Sequence, residues 1–124
     1  SRLADPAYAS LLGRTQVRLQ AFEDTMAEHG DSPDAFVFLD PPYLGADHYA
    51  GAHARGEEPF GRRQHETLCR LFEEARARCL LVVADSPLMR ELYRGHVRAA
   101  YAKNYSMKLN RKVARSTHLV ITNY

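Results

Sequence analysis

The chain is expected to fold as an α/β domain. Phe36–Leu39 and Leu80–Ala84 are short, continuous apolar runs, the pattern of strands buried on both faces of a parallel sheet. Between them, Leu68, Leu71, Phe72 and Ala75 fall at i, i+3, i+4 and i+7, one apolar face of a helix over residues 62–77. Strand, helix and strand in alternation set the class.

The other elements follow along the chain. Residues 2–13 predict a helix with Leu3, Tyr8, Leu11 and Leu12 as core candidates and Gly13 as its stop. Val17–Ala21 alternate weakly and predict a strand. Glu23–His29 predict a short helix ended by Gly30, and Asp31-Ser32-Pro33-Asp34 a turn. After the strand at 36–39, residues 44–61 read as a long loop carrying five punctuating Gly and Pro residues together with His48, Tyr49 and His53. A loop of that length is more often functional than not. Asp85-Ser86-Pro87 starts a further helix, with Asp85 or Ser86 as cap, proline early, and Leu88, Met89 and Leu92 facing the core. Val97–Tyr101 and Leu119–Asn123 predict the two last strands.

At 124 residues one domain and one core are feasible. No apolar run approaches the ~18 residues of a membrane span, and no signal peptide is evident. Cys69 and Cys79 lack metal or redox spacing and are expected to be reduced packing thiols. The net charge of +2 hides an asymmetry. All fifteen acidic residues lie in 1–91, beside ten Lys/Arg. Residues 92–124 hold seven Lys/Arg and no acid. Arg94, Arg98, Lys103, Lys108, Arg111, Lys112 and Arg115 alternate with Tyr101, Asn104 and Tyr105, a footprint for nucleic-acid phosphates.

Asp40-Pro41-Pro42-Tyr43 is the stretch that carries chemistry. Prolines at 41 and 42 forbid continuation of the strand, and residues before proline are driven extended. The chain therefore leaves the sheet at a strand's carboxyl end, where open α/β sheets bind ligands. The Asp40 carboxylate and the Pro41 carbonyl make a pair of fixed acceptors for an NH2 group, and Tyr43 offers a stacking face. The amino group of adenine or cytosine is a poor nucleophile because its lone pair is delocalised into the ring. Acceptors on both hydrogens favour a tetrahedral nitrogen, which is transition-state stabilisation by preorganised electrostatics.

Those four residues resemble the catalytic motif of amino-group methyltransferases. From about Val17 to Tyr124 the chain resembles the carboxyl-terminal half of Dam-type (D12 class) adenine-specific N6 DNA methyltransferases. Val17–Met26 is similar to the strand and helix start that precede the catalytic strand. Phe60, His65-Glu66 and Leu68 are similar to the helix after the catalytic loop, and Leu119–Tyr124 to the closing strand. Two positions depart from the pattern: Ala21 stands where the family often has Asp, and His118 where it often has Glu.

The resemblance implies part of a Rossmann-like class I fold, a mixed sheet ending in an antiparallel hairpin, within the usual strand order 3-2-1-4-5-7-6. It implies S-adenosylmethionine as methyl donor, no metal, and double-stranded DNA as partner, with the target adenine flipped out of the stack and methylated at N6. Asp40, Pro41, Pro42 and Tyr43 become the catalytic residues, Asp40 and Phe22 donor contacts, and Lys108, Arg111 and Lys112 phosphate contacts. Asp85 and Ser86 become candidates for the pocket rim. A cytoplasmic, prokaryotic or phage-type setting and restriction–modification also follow from the resemblance. The glycine-rich turn and ribose-binding acid that such a fold needs are not in this sequence, which holds no G-x-G. The expectation is a carboxyl-terminal fragment, completed by an amino-terminal part of the same enzyme or by a complementing chain. It follows that Val17–Ala21 is left without its usual sheet neighbours and must pair elsewhere, stay loose, or sit beside the catalytic strand in a non-native arrangement. Methylation of RNA or of another exocyclic amine, and a non-catalytic nucleic-acid-binding remnant, stay open as alternatives.

Overall fold

A computed structural model describes residues 5–43, 60–105 and 114–124. The described elements are α1 (Pro6–Gly13), α2 (Phe22–His29), β1 (Phe36–Leu39), α3 (Arg62–Glu74), β2 (Arg78–Ala84), α4 (Pro87–Leu92), β3 (Val97–Tyr105) and β4 (Ala114–Thr122). The strands form a mixed sheet in the order β1-β2-β4-β3. β1 and β2 run parallel, with Phe36 opposite Arg78 and Leu39 opposite Leu81. β4 runs antiparallel to β2, Leu80 facing Thr122 and Ala84 facing His118. β3 pairs antiparallel with β4, its register shifted between Val97 and Ala99. This order corresponds to 4-5-7-6 of the expected arrangement. The long loop at 44–61 lies almost wholly outside the described residues.

One face of the sheet carries the core. Cys79, Leu81 and Val83 alternate along β2, and Leu119 and Ile121 along β4, onto Leu68 and Phe72 of α3 and Met89 of α4. The Phe72 ring meets Tyr93 edge-on at 5.3 Å. Cys69 and Cys79 are buried and unpaired, as packing thiols should be. Burial, with the Glu73 carboxylate adding to it, pushes the Cys69 thiol up to about 11, and burial alone raises Cys79.

Several expectations are corrected. α3 ends at Glu74, and Ala75 is extended rather than helical, because Arg76 and Ala77 donate their N–H groups to the Gly30 carbonyl at 2.8 and 2.9 Å. A tertiary bond thus replaces the last helical turn. α1 begins at Pro6, capped by the Asp5 carboxylate, but Tyr8, Leu11 and Leu12 are exposed rather than core. Residues 17–21 are not a strand. Val17 and Leu19 are 94% and 97% exposed, while Arg18 pairs with Glu28 and Gln20 bonds Thr25. With no neighbouring strand among the described residues to share a ladder, polar ties to α2 hold the segment. β1 also differs from the expected doubly buried strand. It lies at the sheet edge, and Phe36 and Phe38 are each 58% exposed. No described helix is long and apolar enough to cross a membrane.

The closing strand is tied back by a side chain. Asn123 accepts from the Cys79 N–H at 2.8 Å and donates to the Phe72 and Ala77 carbonyls at 3.2 and 3.0 Å. One amide therefore joins the chain end to the turn between α3 and β2. Asn123→Ala strips three partners at once and should cost about 3 kcal/mol, read as a lower denaturant midpoint at unchanged m-value. Asn123→Asp keeps the acceptor but turns carboxylate oxygen toward the Phe72 and Ala77 carbonyls, and should cost at least as much as Asn123→Ala.

Candidate active site

The Pro-Pro break acts where the sequence requires it. β1 stops at Leu39, and Asp40–Tyr43 leave the sheet at the carboxyl end of β1, next to the carboxyl end of β2. Asp40 is exposed, Pro41 buried, Pro42 half-buried, and Tyr43 37% exposed. An accessible acceptor and an accessible ring thus flank a rigid, seated turn.

Two cavities meet this turn. The larger, about 320 Å³, is walled by Phe22, Phe60, Phe38, Asp40 and Pro41, and it lies along β1. Phe22 and Phe60 pack with ring centroids 5.5 Å apart. The structure therefore brings Phe22 and Asp40 to one cavity from separate segments. The smaller, about 90 Å³, lies between Tyr43, His65, Ala84, Asp85 and Ser86. Ser86 is the cap of α4, accepting from the Met89 N–H at 3.2 Å. The Asp85 carboxylate is held by the Arg90 guanidinium at 2.7 and 2.8 Å, which keeps it below the ordinary carboxylate range.

Two histidines reach the turn from different layers. His65 on α3 is fully buried, and its Nε2 lies 3.2 Å from the Pro42 carbonyl, so Nε2–H donates to it. Its Nδ1 is buried without a partner among the described residues. A second proton there would have no acceptor, and burial holds the imidazole below its usual range, only partly offset by the Pro42 carbonyl. His118 on β4 is 2% exposed, with Nε2 3.0 Å from the Tyr43 hydroxyl.

Sequence reasoning weighted neither histidine. His65 entered only as part of a helix match and His118 as a departure from a pattern. The available signal was a histidine directly before the apolar run Leu119–Ile121, but its partner 75 residues away in sequence is visible only in three dimensions. The basic stretch is partly redirected. Arg98 sits at the β3 irregularity and donates to the Thr122 hydroxyl at 3.0 Å and to the Thr122 and Gly95 carbonyls, so its guanidinium ties β3 to β4. Lys108, Arg111 and Lys112 lie outside the described residues.

Residues 6–112 match the family described as D12 class N6 adenine-specific DNA methyltransferase. The type II methyltransferase M.CviBI of Paramecium bursaria Chlorella virus NC1A is 33% identical over 123 residues, covering 94% of this chain and 44% of that protein. The chain spans less than half the length of that relative.

The His65 environment sets a pH dependence. The unfolded chain binds a proton near pH 6.5 that the folded chain accepts only at lower pH. Stability contributed by the neutral form is present above 6.5 and lost as pH falls below it. His65→Gln retains a donor for Pro42 without a titrating ring. Thermal melting across pH 5–8 should show a shallower acid-side decline in this variant than in the parent.

Proposed function

The chain belongs to the D12 class of N6 adenine-specific DNA methyltransferases, and from that premise we propose that it carries the base-activating part of an enzyme that methylates adenine N6 in double-stranded DNA. The observation that carries this reading is Asp40, an exposed carboxylate at the carboxyl end of a parallel strand, on a proline-stiffened turn beside a half-exposed Tyr43 ring.

The proposed roles follow from residue chemistry. The flipped adenine stacks on Tyr43. Asp40 and the Pro41 carbonyl accept hydrogen bonds from the two N6 hydrogens, drawing N6 toward a tetrahedral geometry with its lone pair free. Pro41 and Pro42 hold those acceptors in place, so little reorganisation is required as charge develops. The smaller cavity, next to Tyr43, suits the base edge, and Asp85 and Ser86 would line its rim.

S-adenosylmethionine, when bound, supplies an electrophilic methyl group. The larger cavity fits one wall of a site for it. Phe22 and Phe60 offer faces to a heterocycle, and Asp40 offers a carboxylate near a cationic sulfonium. The same cavity runs along the free edge of β1, where Phe36 and Phe38 are exposed. The remaining wall would come from polypeptide covering that edge, from further residues of the same enzyme or from a complementing chain. Lys108, Arg111 and Lys112 would neutralise backbone phosphates.

Two measurements test this reading. In the full-length enzyme, Asp40→Ala should lower the methylation rate by about 100-fold or more. Nucleoside mass spectrometry on DNA and RNA substrates should find N6-methyladenine in the DNA. Product confined to RNA, or undiminished methylation by Asp40→Ala, would refute the assignment. The 124-residue chain alone should bind S-adenosylmethionine weakly or not at all. Micromolar binding in isothermal titration would remove the need for a covering segment.

A further inference from the structure

We infer that His118 is a positioning residue that fixes the orientation of the Tyr43 ring before a base arrives. The inference rests on the reading of Tyr43 as the stacking residue. It goes beyond that reading in naming what holds the ring.

His118 is a polar side chain with almost no exposure, directly before the apolar run Leu119–Ile121 of β4, and burial at such a place requires partners. Both ring nitrogens have them. Nε2 lies 3.0 Å from the Tyr43 hydroxyl, and Nδ1 lies 3.3 Å from the Ser116 hydroxyl. A neutral imidazole has one donor and one acceptor nitrogen. The phenol is the stronger acid of the two hydroxyls and makes the shorter contact. Tyr43 O–H therefore donates to Nε2, and Nδ1–H donates to the Ser116 oxygen.

The imidazole plane is itself held. Tyr101, opposite His118 in the β3–β4 register, stacks on it with centroids 5.5 Å apart and 22° between planes. Tyr43 meets the same ring edge-on, at 5.6 Å and 67°. Tyr101 thus sets the plane of His118, Ser116 accepts from its Nδ1–H, and His118 sets the direction of the Tyr43 hydroxyl. Tyr43 is 37% exposed, and the contact with a buried His118 restrains its rotamer. Held in place, it gives up no rotamer freedom when a base stacks on it. The hydrogen-bond chain also couples the basic β3–β4 pair to the ring that would receive the base.

The experiment combines kinetics with nitrogen NMR. In the full-length enzyme, His118→Phe keeps a ring against Tyr101 and removes both nitrogens. It should lower kcat about 3- to 10-fold, the worth of one hydrogen bond, with KM for S-adenosylmethionine unchanged. His118→Gln retains an acceptor and should recover most of that loss. In a Tyr43→Phe background, His118→Phe should change kcat by less than about twofold, since the contact is already absent. Losses that multiply across the double variant would overturn the inference, as would full activity in His118→Phe. Nitrogen-15 spectra of the 124-residue chain judge the contact without any methylation. His118 Nε2 should give the signal of an unprotonated acceptor, and Tyr43→Phe should move it while the other histidine signals stay in place. A protonated or unmoved Nε2 would sink the contact. A parent enzyme that methylates nothing would defeat the proposed function instead, leaving the nitrogen shift to decide on His118.

Discussion

The turn at Asp40–Tyr43 is held by two imidazoles from opposite sides of the sheet, and the geometry of the site depends on that arrangement. Proline removes the N–H groups by which a strand would otherwise anchor such a turn. At positions 41 and 42 only the carbonyls remain for fastening it. His65, from the helical layer, donates to the Pro42 carbonyl. His118, from the strand face turned away from that layer, meets the Tyr43 hydroxyl. Each imidazole is buried, which limits competition from water for its bond. Asp40 and the Tyr43 ring can then stay accessible without being loosely placed. The cost is borne by His65, whose second nitrogen is buried without a partner among the described residues.

The sheet's two ends differ in kind. Toward β4 it is closed: Asn123 sews the last strand to the α3–β2 turn, and Arg98 bonds across β3 and β4. Toward β1 it is open, with a strand edge unshared among the described residues and two part-exposed phenylalanines on it. Exposed edges of this kind are sites for further pairing. The larger cavity lies on this open side, so the apolar surface and the donor-side wall of the proposed site are one region. Val17 and Leu19, almost fully exposed, are apolar residues with no burial among the described elements. A site completed by additional polypeptide accounts for all three features together.

Periodicity and punctuation located most elements. The 3.6-residue face found α3, continuous apolar runs found β1 and β2, and Ser86-Pro87 found the start of α4. The failures share a cause. Ala75 continues the apolar period of α3, yet Gly30 takes the N–H groups that would have extended the helix. Val17–Ala21 alternates like a strand, but a strand exists only with a neighbour. Tyr8, Leu11 and Leu12 have core-like composition and no covering layer. Local pattern reports what a segment is able to bury, not whether anything buries it.

For the site, the sequence by itself determined the chemistry of the four residues: a carboxylate, two rigid carbonyl-bearing residues and an aromatic ring after an apolar run. Backbone rules also determined that they leave the sheet together, because proline's constraints are local. Only the tertiary structure decided what holds them. His65 is 23 residues from Pro42 and His118 is 75 from Tyr43, and no spacing rule spans such distances. Strand register puts Tyr101 against His118, and the fold of α2 puts Phe22 in the cavity with Asp40. Hydrogen bonds and ring contacts need atoms within a few ångströms. Nearness along the chain supplies that for a turn, and folding alone supplies it for a site.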